Sequence, residues 1–151
     1  MYLKMPPKIK ILEAAGAVAD GRIEKLNNKL FRVISSERDR TYSVYVDLEK
    51  GEACSTDNGT TYRGYIGYPI ISSLLILGVL PYDAVIGRSL ANIDWRRLNE
   101  TLKNYSLVEE KVKEIARDRG VSPELIDKYS SNVYEQLRKI KLVKVNKCLN
   151  P

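Results

Sequence analysis

Three tyrosines, Tyr62, Tyr65 and Tyr68, recur at every third position of the segment DNGTTYRGYIGYP, with Arg63 among them and Gly64 and Gly67 between. An aromatic ring offers a π-face, a guanidinium offers charge, and a backbone thinned by glycine lets a phosphate approach. Together these suit the stacking of unpaired bases along a charged strand. The same tyrosines also fit a second role, as half-buried amphipathic side chains whose hydroxyls reach water. Further candidates lie elsewhere: Arg32 beside Phe31 in an apolar run, Tyr45 on the polar side of an alternating strand, and Arg96 with Arg97 near a helix start. Paired arginines gain nothing from the macrodipole at that end, so they suit an anion bound from outside or a solvated surface. The expected assignment is that Tyr62, Tyr65 and Tyr68, with Phe31 and Tyr45, stack on bases or line base pockets. Arg32, Arg63, Arg96 and Arg97 are expected to contact phosphates.

Other chemistries have less to work with. The chain has no histidine, which removes the commonest general base, and its 2 cysteines, Cys54 and Cys148, stand far apart. Neither a zinc site of the usual ligand set nor a disulfide framework can be argued from them. Asp57 with Glu52 and a divalent metal would be a minimal phosphoryl-transfer set, but two acids around a turn are common. No catalysis and no cofactor are therefore expected. A balance of 25 basic against 19 acidic residues gives +6, a lean toward polyanions. With 151 residues, 44% hydrophobic and 29% charged, the chain has the makings of a globular protein with a sizeable core. The first residues carry Lys4, Pro6, Pro7, Lys8 and Lys10 without an apolar run, so a cytoplasmic location is expected.

The elements that must position these residues can be read in order. From Gly64 to Tyr82 there is no Asp, Glu, Lys or Arg. A helix is expected there from Pro69 to about Leu77, apolar on nearly all sides and ended by Gly78 and Pro81. A membrane span needs roughly 20 apolar residues, a length reached here only by counting glycines, serines and prolines. A core helix is expected instead, and no membrane partner. Asp57, Asn58 and Gly59 read as a turn. Upstream, residues 8–19 have helical spacing, and strands are expected over 22–26, 29–36, 41–48 and 52–56, the first pair joined by a two-residue Asn27–Asn28 turn. The fold class is thus α+β, a four-stranded antiparallel sheet packed on helices and followed by a C-terminal helical hairpin.

Past the core helix, residues 82–90 are weakly helical. Asp94 caps a further helix whose Trp95, Leu98 and Leu102 share a face, so Trp95 is expected in the core. Ser106 and Glu109 have capping-box spacing, and Ser122 with Pro123 opens a helix reaching about Ile140. The stripe Ile126, Tyr129, Val133, Leu137 and Ile140 is longer than one short partner helix can cover. The hairpin is therefore expected to build a homo-oligomer, a dimer or tetramer. Ala116, Gly120 and Ile126 also have helix-turn-helix spacing, which gives the alternative of a duplex-binding regulator. Against it, acidic residues outnumber basic ones over 106–135, and Glu124 and Asp127 would meet phosphate at the start of the recognition helix. Arg138, Lys139, Lys141, Lys144 and Lys147 form an acid-free basic tail. Two units are expected, 1–105 for binding and 106–148 for assembly.

The stretch from Ala14 through Gly21, the strands, DNGTTYRGYIGYPII and the C-terminal helix pair together resemble the ThermoDBP-related proteins, archaeal single-stranded-DNA-binding proteins that lack the OB-fold. The resemblance covers nearly the whole chain. It implies a helix-and-sheet domain holding single strands, DNA in preference to RNA, in a basic and aromatic cleft without sequence specificity. It also implies oligomerisation through the C-terminal helices. More loosely, ACST followed by YPIISSLL resembles the core of a SWIM zinc finger. The positions of that motif's remaining ligands hold Thr56, Tyr68 and Ile70, so no zinc binding carries over.

Overall fold

A computed structural model describes residues 1–148. In chain order its elements are α1 (Ile9–Ala19), β1 (Ile23–Lys25), β2 (Leu30–Ile34), β3 (Thr41–Asp47), β4 (Glu52–Ser55), α2 (Asn58–Arg63), α3 (Tyr68–Ile76), α4 (Ala84–Ser89), α5 (Trp95–Leu102), α6 (Tyr105–Asp118), α7 (Pro123–Arg138) and β5 (Val143–Lys144). The uncharged stretch folds as the buried helix its composition demands. In α3, Pro69 occupies the first turn, where a missing N–H costs nothing, and every residue from Tyr68 to Leu75 is buried. The Ser72 and Ser73 hydroxyls donate back to the Pro69 carbonyl at 3.0 and 2.8 Å, so neither enters the core unsatisfied.

α3 lies on the sheet against β1, β3 and β4. α1 lies on α3, and α4, α6 and α7 pack around α1. Phe31, Val33, Val44, Val46 and Ala53 form the sheet's contribution to this core. The class is α+β, but the sheet departs from the expected four antiparallel strands. It has five, in the order β1-β2-β3-β4-β5; the first four form the antiparallel meander, and β5 joins β4 in parallel. The free edge of β4 is covered by the segment read from sequence as a basic tail: the Val143 amide donates to the Gly51 carbonyl (2.7 Å) and the Val145 amide to that of Ala53 (3.0 Å). Two paired residues are too short a run for periodicity to mark as a strand.

Local differences have similar causes. The β1–β2 loop spans residues 26–29 rather than two, because the Asn27 side chain accepts from both the Lys29 and Leu30 amides. The turn read at Asp57 is instead the N-cap of α2, with Oδ2 accepting from the Thr60 amide at 3.1 Å. Asn104 rather than Ser106 caps α6, accepting from the Ser106 and Leu107 amides. Cys54 and Cys148, 94 residues apart, meet in a disulfide that no sequence spacing announced. Trp95 is in the core, as its helical face suggests.

The C-terminal hairpin does not stand apart. Val108, Val112 and Ala116 of α6 and Ile126, Val133 and Leu137 of α7 belong to the same buried cluster as α1, α3 and the sheet. The stripe expected to drive self-association is covered within the chain, because α1 is apolar on nearly every side and supplies the missing surface. Position 105 therefore marks no break in the core. Among the described residues no helix is long and apolar enough to cross a membrane. Leu137 has no exposed surface. Leu137→Ala is expected to lower the stability of the whole chain by about 2–5 kcal/mol, in a single urea transition. A variant in which residues 1–105 melted unchanged would support the division at 105.

Candidate functional site

The tyrosine segment is shaped by α2 and by what packs behind it. Gly64 ends α2 at φ +70°; the Lys4 amide then donates to its carbonyl (2.9 Å), and the Ile66 amide to that of Lys4 (3.0 Å). Ile66 is buried, so the chain is pinned between Tyr65 and Tyr68. A Cβ on Gly59 would overlap the Tyr65 ring, and one on Gly67 would overlap the Asp57 carboxylate. Gly67 thus makes room for a side chain of this protein rather than for a phosphate.

Tyr65 and Tyr68 line a cleft of about 330 Å³, whose other walls are Lys10 and Glu13 of α1, Ser35, Ser36, Arg40 and Tyr42 of the β2–β3 region, Asp57, and Arg96 and Asn99 of α5. A second cleft of about 350 Å³ is lined by Arg63, Lys103, Asn104 and Tyr105, and shares Lys10 and Asn99 with the first. The two therefore adjoin. Lys10 bonds Glu13 at 3.1 Å and stands 5.5 Å from the centre of the Tyr105 ring. Burial by itself would push the Lys10 ammonium down, but the Glu13 carboxylate beside it outweighs this and holds it above the usual lysine range. Burial pushes the Tyr65 hydroxyl up to about 12, and burial with the Glu13 charge raises Tyr68 as well. Both stay protonated and can donate hydrogen bonds at any ordinary pH.

Arg96 reaches the cleft already paired, with Asp39 at 2.6 Å, Glu100 at 3.3 Å and Glu37 at 3.5 Å. The hydrogen bond from Arg96, with one from Ser35, holds the Asp39 carboxyl below its usual range. Asp57 is 6% exposed; Oδ2 caps α2, while Oδ1 is buried with no hydrogen-bond partner among the described residues.

Of the residues singled out from sequence, Tyr65, Tyr68 and Arg96 come together in the first cleft and Arg63 enters the second. Tyr62 projects from α2 with 81% of its surface exposed. Phe31, 1% exposed, is a core residue facing α3's side of the sheet, which corrects its expected role in stacking. Arg32 and Tyr45 lie on the opposite sheet face. There Arg32 pairs with Glu24 at 3.0 Å, and Tyr45 is covered by Val145 and Cys148 with Lys147 5.4 Å from its ring centre. Arg97 faces a different groove, between α5 and α6. Asp57 and Glu52 are not brought together: Glu52 bonds Lys147 and Tyr45 on the outer face, whereas Asp57 lines the cleft. Sequence reasoning missed Lys10, Arg40, Tyr42, Lys103 and Tyr105, whose proximity exists only once α1, β3 and α5 are assembled.

The family model described as Uncharacterised conserved protein UCP014422 matches residues 3–143 of the chain. No curated protein and no solved structure matches it. The packing at Gly67 can be checked directly. Gly67→Ala should destabilise the chain by about 1–3 kcal/mol through overpacking against Asp57, measured by denaturant titration; an unchanged midpoint would mean that the carboxylate does not sit there.

Proposed function

We propose that this chain, which belongs to the family Uncharacterised conserved protein UCP014422, binds single-stranded nucleic acid, DNA in preference to RNA, along the two adjoining clefts between α1, α2 and α5. The observation that carries this reading is their shared lining. Arg40, Arg63 and Lys103 surround the rings of Tyr65 and Tyr105, with Lys10 at the junction. None of those three outer cations makes a salt bridge with a described residue, so each is available to a phosphate. Positive charge tracking a groove beside aromatic faces is the physical requirement for holding unpaired bases. Tyr62, exposed on the same short helix as Arg63, extends the aromatic surface beyond the cleft.

The chemistry asked of these groups is binding without catalysis, in the cytoplasm. Phosphate contacts carry no sequence information, so affinity along the strand is broadly independent of sequence. Assembly into a dimer or tetramer would need a surface other than the α7 stripe, which is buried within the chain.

Two measurements test the reading, both by fluorescence anisotropy with a labelled single strand. Each phosphate neutralised on a single strand contributes about −0.7 to the slope of log K against log salt. Arg63→Ala should flatten the slope by about that amount, and an unchanged slope with unchanged affinity removes Arg63 from the interface. Tyr65→Ala should weaken binding by about 1–3 kcal/mol, whereas Tyr65→Phe, which keeps the ring, binds nearly as the unaltered chain does. A protein that prefers duplex over single strand would overturn the proposal.

A further inference from the structure

Phosphate recognition leaves the floor of the first cleft without a role. Three carboxylates line the cleft: Glu100, bonded to Arg96 at 3.3 Å, Asp57, whose buried Oδ1 has no partner among the described residues, and Glu13, 7% exposed, whose Oε1 takes the Lys10 ammonium. Carboxylates repel phosphate, and a buried acceptor without a donor is costly unless a ligand supplies one. Tyr65 and the edge-on pair Tyr42 and Tyr68 form part of the walls. At about 330 Å³ the space is at the small end of ligand sites and suits a single base rather than a duplex.

We propose that this cleft takes one guanine base, its Watson–Crick edge turned toward Asp57; the assignment rests on the single-strand reading given above. Guanine is the base whose edge puts two N–H donors side by side, N1–H and the N2 amino group, next to the O6 acceptor. The two donors meet the carboxylates, with Asp57 Oδ1 accepting one of them, and O6 meets the Lys10 ammonium or the Arg40 guanidinium. Thymine and uracil present one donor flanked by two carbonyls, which would face carboxylate lone pairs. Cytosine and adenine set a bare ring nitrogen beside their amino group, with the same repulsion. A strand held elsewhere by phosphate and stacking contacts thus gains a preference at one position.

The experiment uses the full chain and oligothymidylate strands of about 12 nucleotides, either unaltered or with a single central guanine, adenine or cytosine, followed by fluorescence anisotropy. The guanine-bearing strand is expected to bind about tenfold or more tightly than the others. Asparagine caps helices as well as aspartate does, so Asp57→Asn should keep α2 and the melting temperature while replacing one acceptor with a donor. It is expected to lose the guanine preference and to retain affinity for oligothymidylate. Equal affinity for all four strands, or a preference that survives in Asp57→Asn, overturns the guanine assignment and leaves single-strand binding intact. Free guanosine monophosphate, added as a separate ligand, distinguishes the sources. If it binds to the unaltered chain and not to Asp57→Asn while no strand binds, the base assignment stands and the strand reading falls. If neither strands nor the nucleotide bind, both fall. Should Asp57→Asn melt early, the four-strand comparison on the unaltered chain still decides the matter.

Discussion

A helix with no polar face has to be enclosed on every side, and that constraint shapes the rest of this chain. α3 carries no Asp, Glu, Lys or Arg, so water is an unfavourable neighbour in any direction. The sheet covers one side and α1 another. α1 then presents a second problem, since Ile11, Leu12, Ala14, Ala15 and Ala17 are themselves fully buried and cannot all face α3. α4, α6 and α7 complete the enclosure. The sheet, α1, α3 and the hairpin thus share one buried cluster.

The cleft forms where this enclosure ends. Tyr68 is both the first residue of α3 and part of the cleft wall, and its ring is fixed from two sides. The Tyr42 ring meets it edge-on, 6.2 Å between centres and 88° between planes. Arg22, 1% exposed, stands 5.9 Å from the Tyr68 ring centre. The same arginine bonds Asp20 at 3.1 Å and the Ile34 carbonyl at 2.8 Å, tying the α1–β1 turn to the end of β2. A buried guanidinium is tolerable only with such partners. They also make the wall rigid, which lowers the ordering cost of placing a ligand against it.

How much of this was legible in the sequence depends on the range of the signal. The α3 helix, the four-strand meander and the N-caps at Asp94 and Ser122 are local patterns, and they were readable as such. The two faces of β3 were also readable, since alternation sets Tyr42, Val44 and Val46 against Ser43 and Tyr45. What no local pattern records is which covering element arrives from far away. Tyr45 looked solvent-facing because its neighbours are polar, yet the segment around Val145 and Cys148 lies over it. The α7 stripe looked unpartnered because its partner, α1, is more than a hundred residues upstream. Phe31 alternates as a core residue does, and it is buried as one. The aromatic and glycine pattern of 57–68 marks the cleft, but the need for glycine at 67 comes from the Asp57 carboxylate packed against it, which is a tertiary fact.

Net charge is a similarly incomplete guide. The composition gives +6, but it does not say which cations are free to act on a ligand. Arg32 is paired with Glu24, Lys29 with Asp47, Lys113 with Asp127 and Lys147 with Glu52. Arg96, which borders the cleft, spends its charge on three acids. A phosphate arriving there must compete with carboxylates already within hydrogen-bonding distance, whereas Arg40, Arg63 and Lys103 make no salt bridge with a described residue. Arginines chosen for charge alone therefore divide by partner rather than by position in the sequence. Arg96 is better placed to hold the β2–β3 connection and α5 together, keeping the cleft at a fixed width through its bonds to Glu37 and Asp39 on one side and Glu100 on the other.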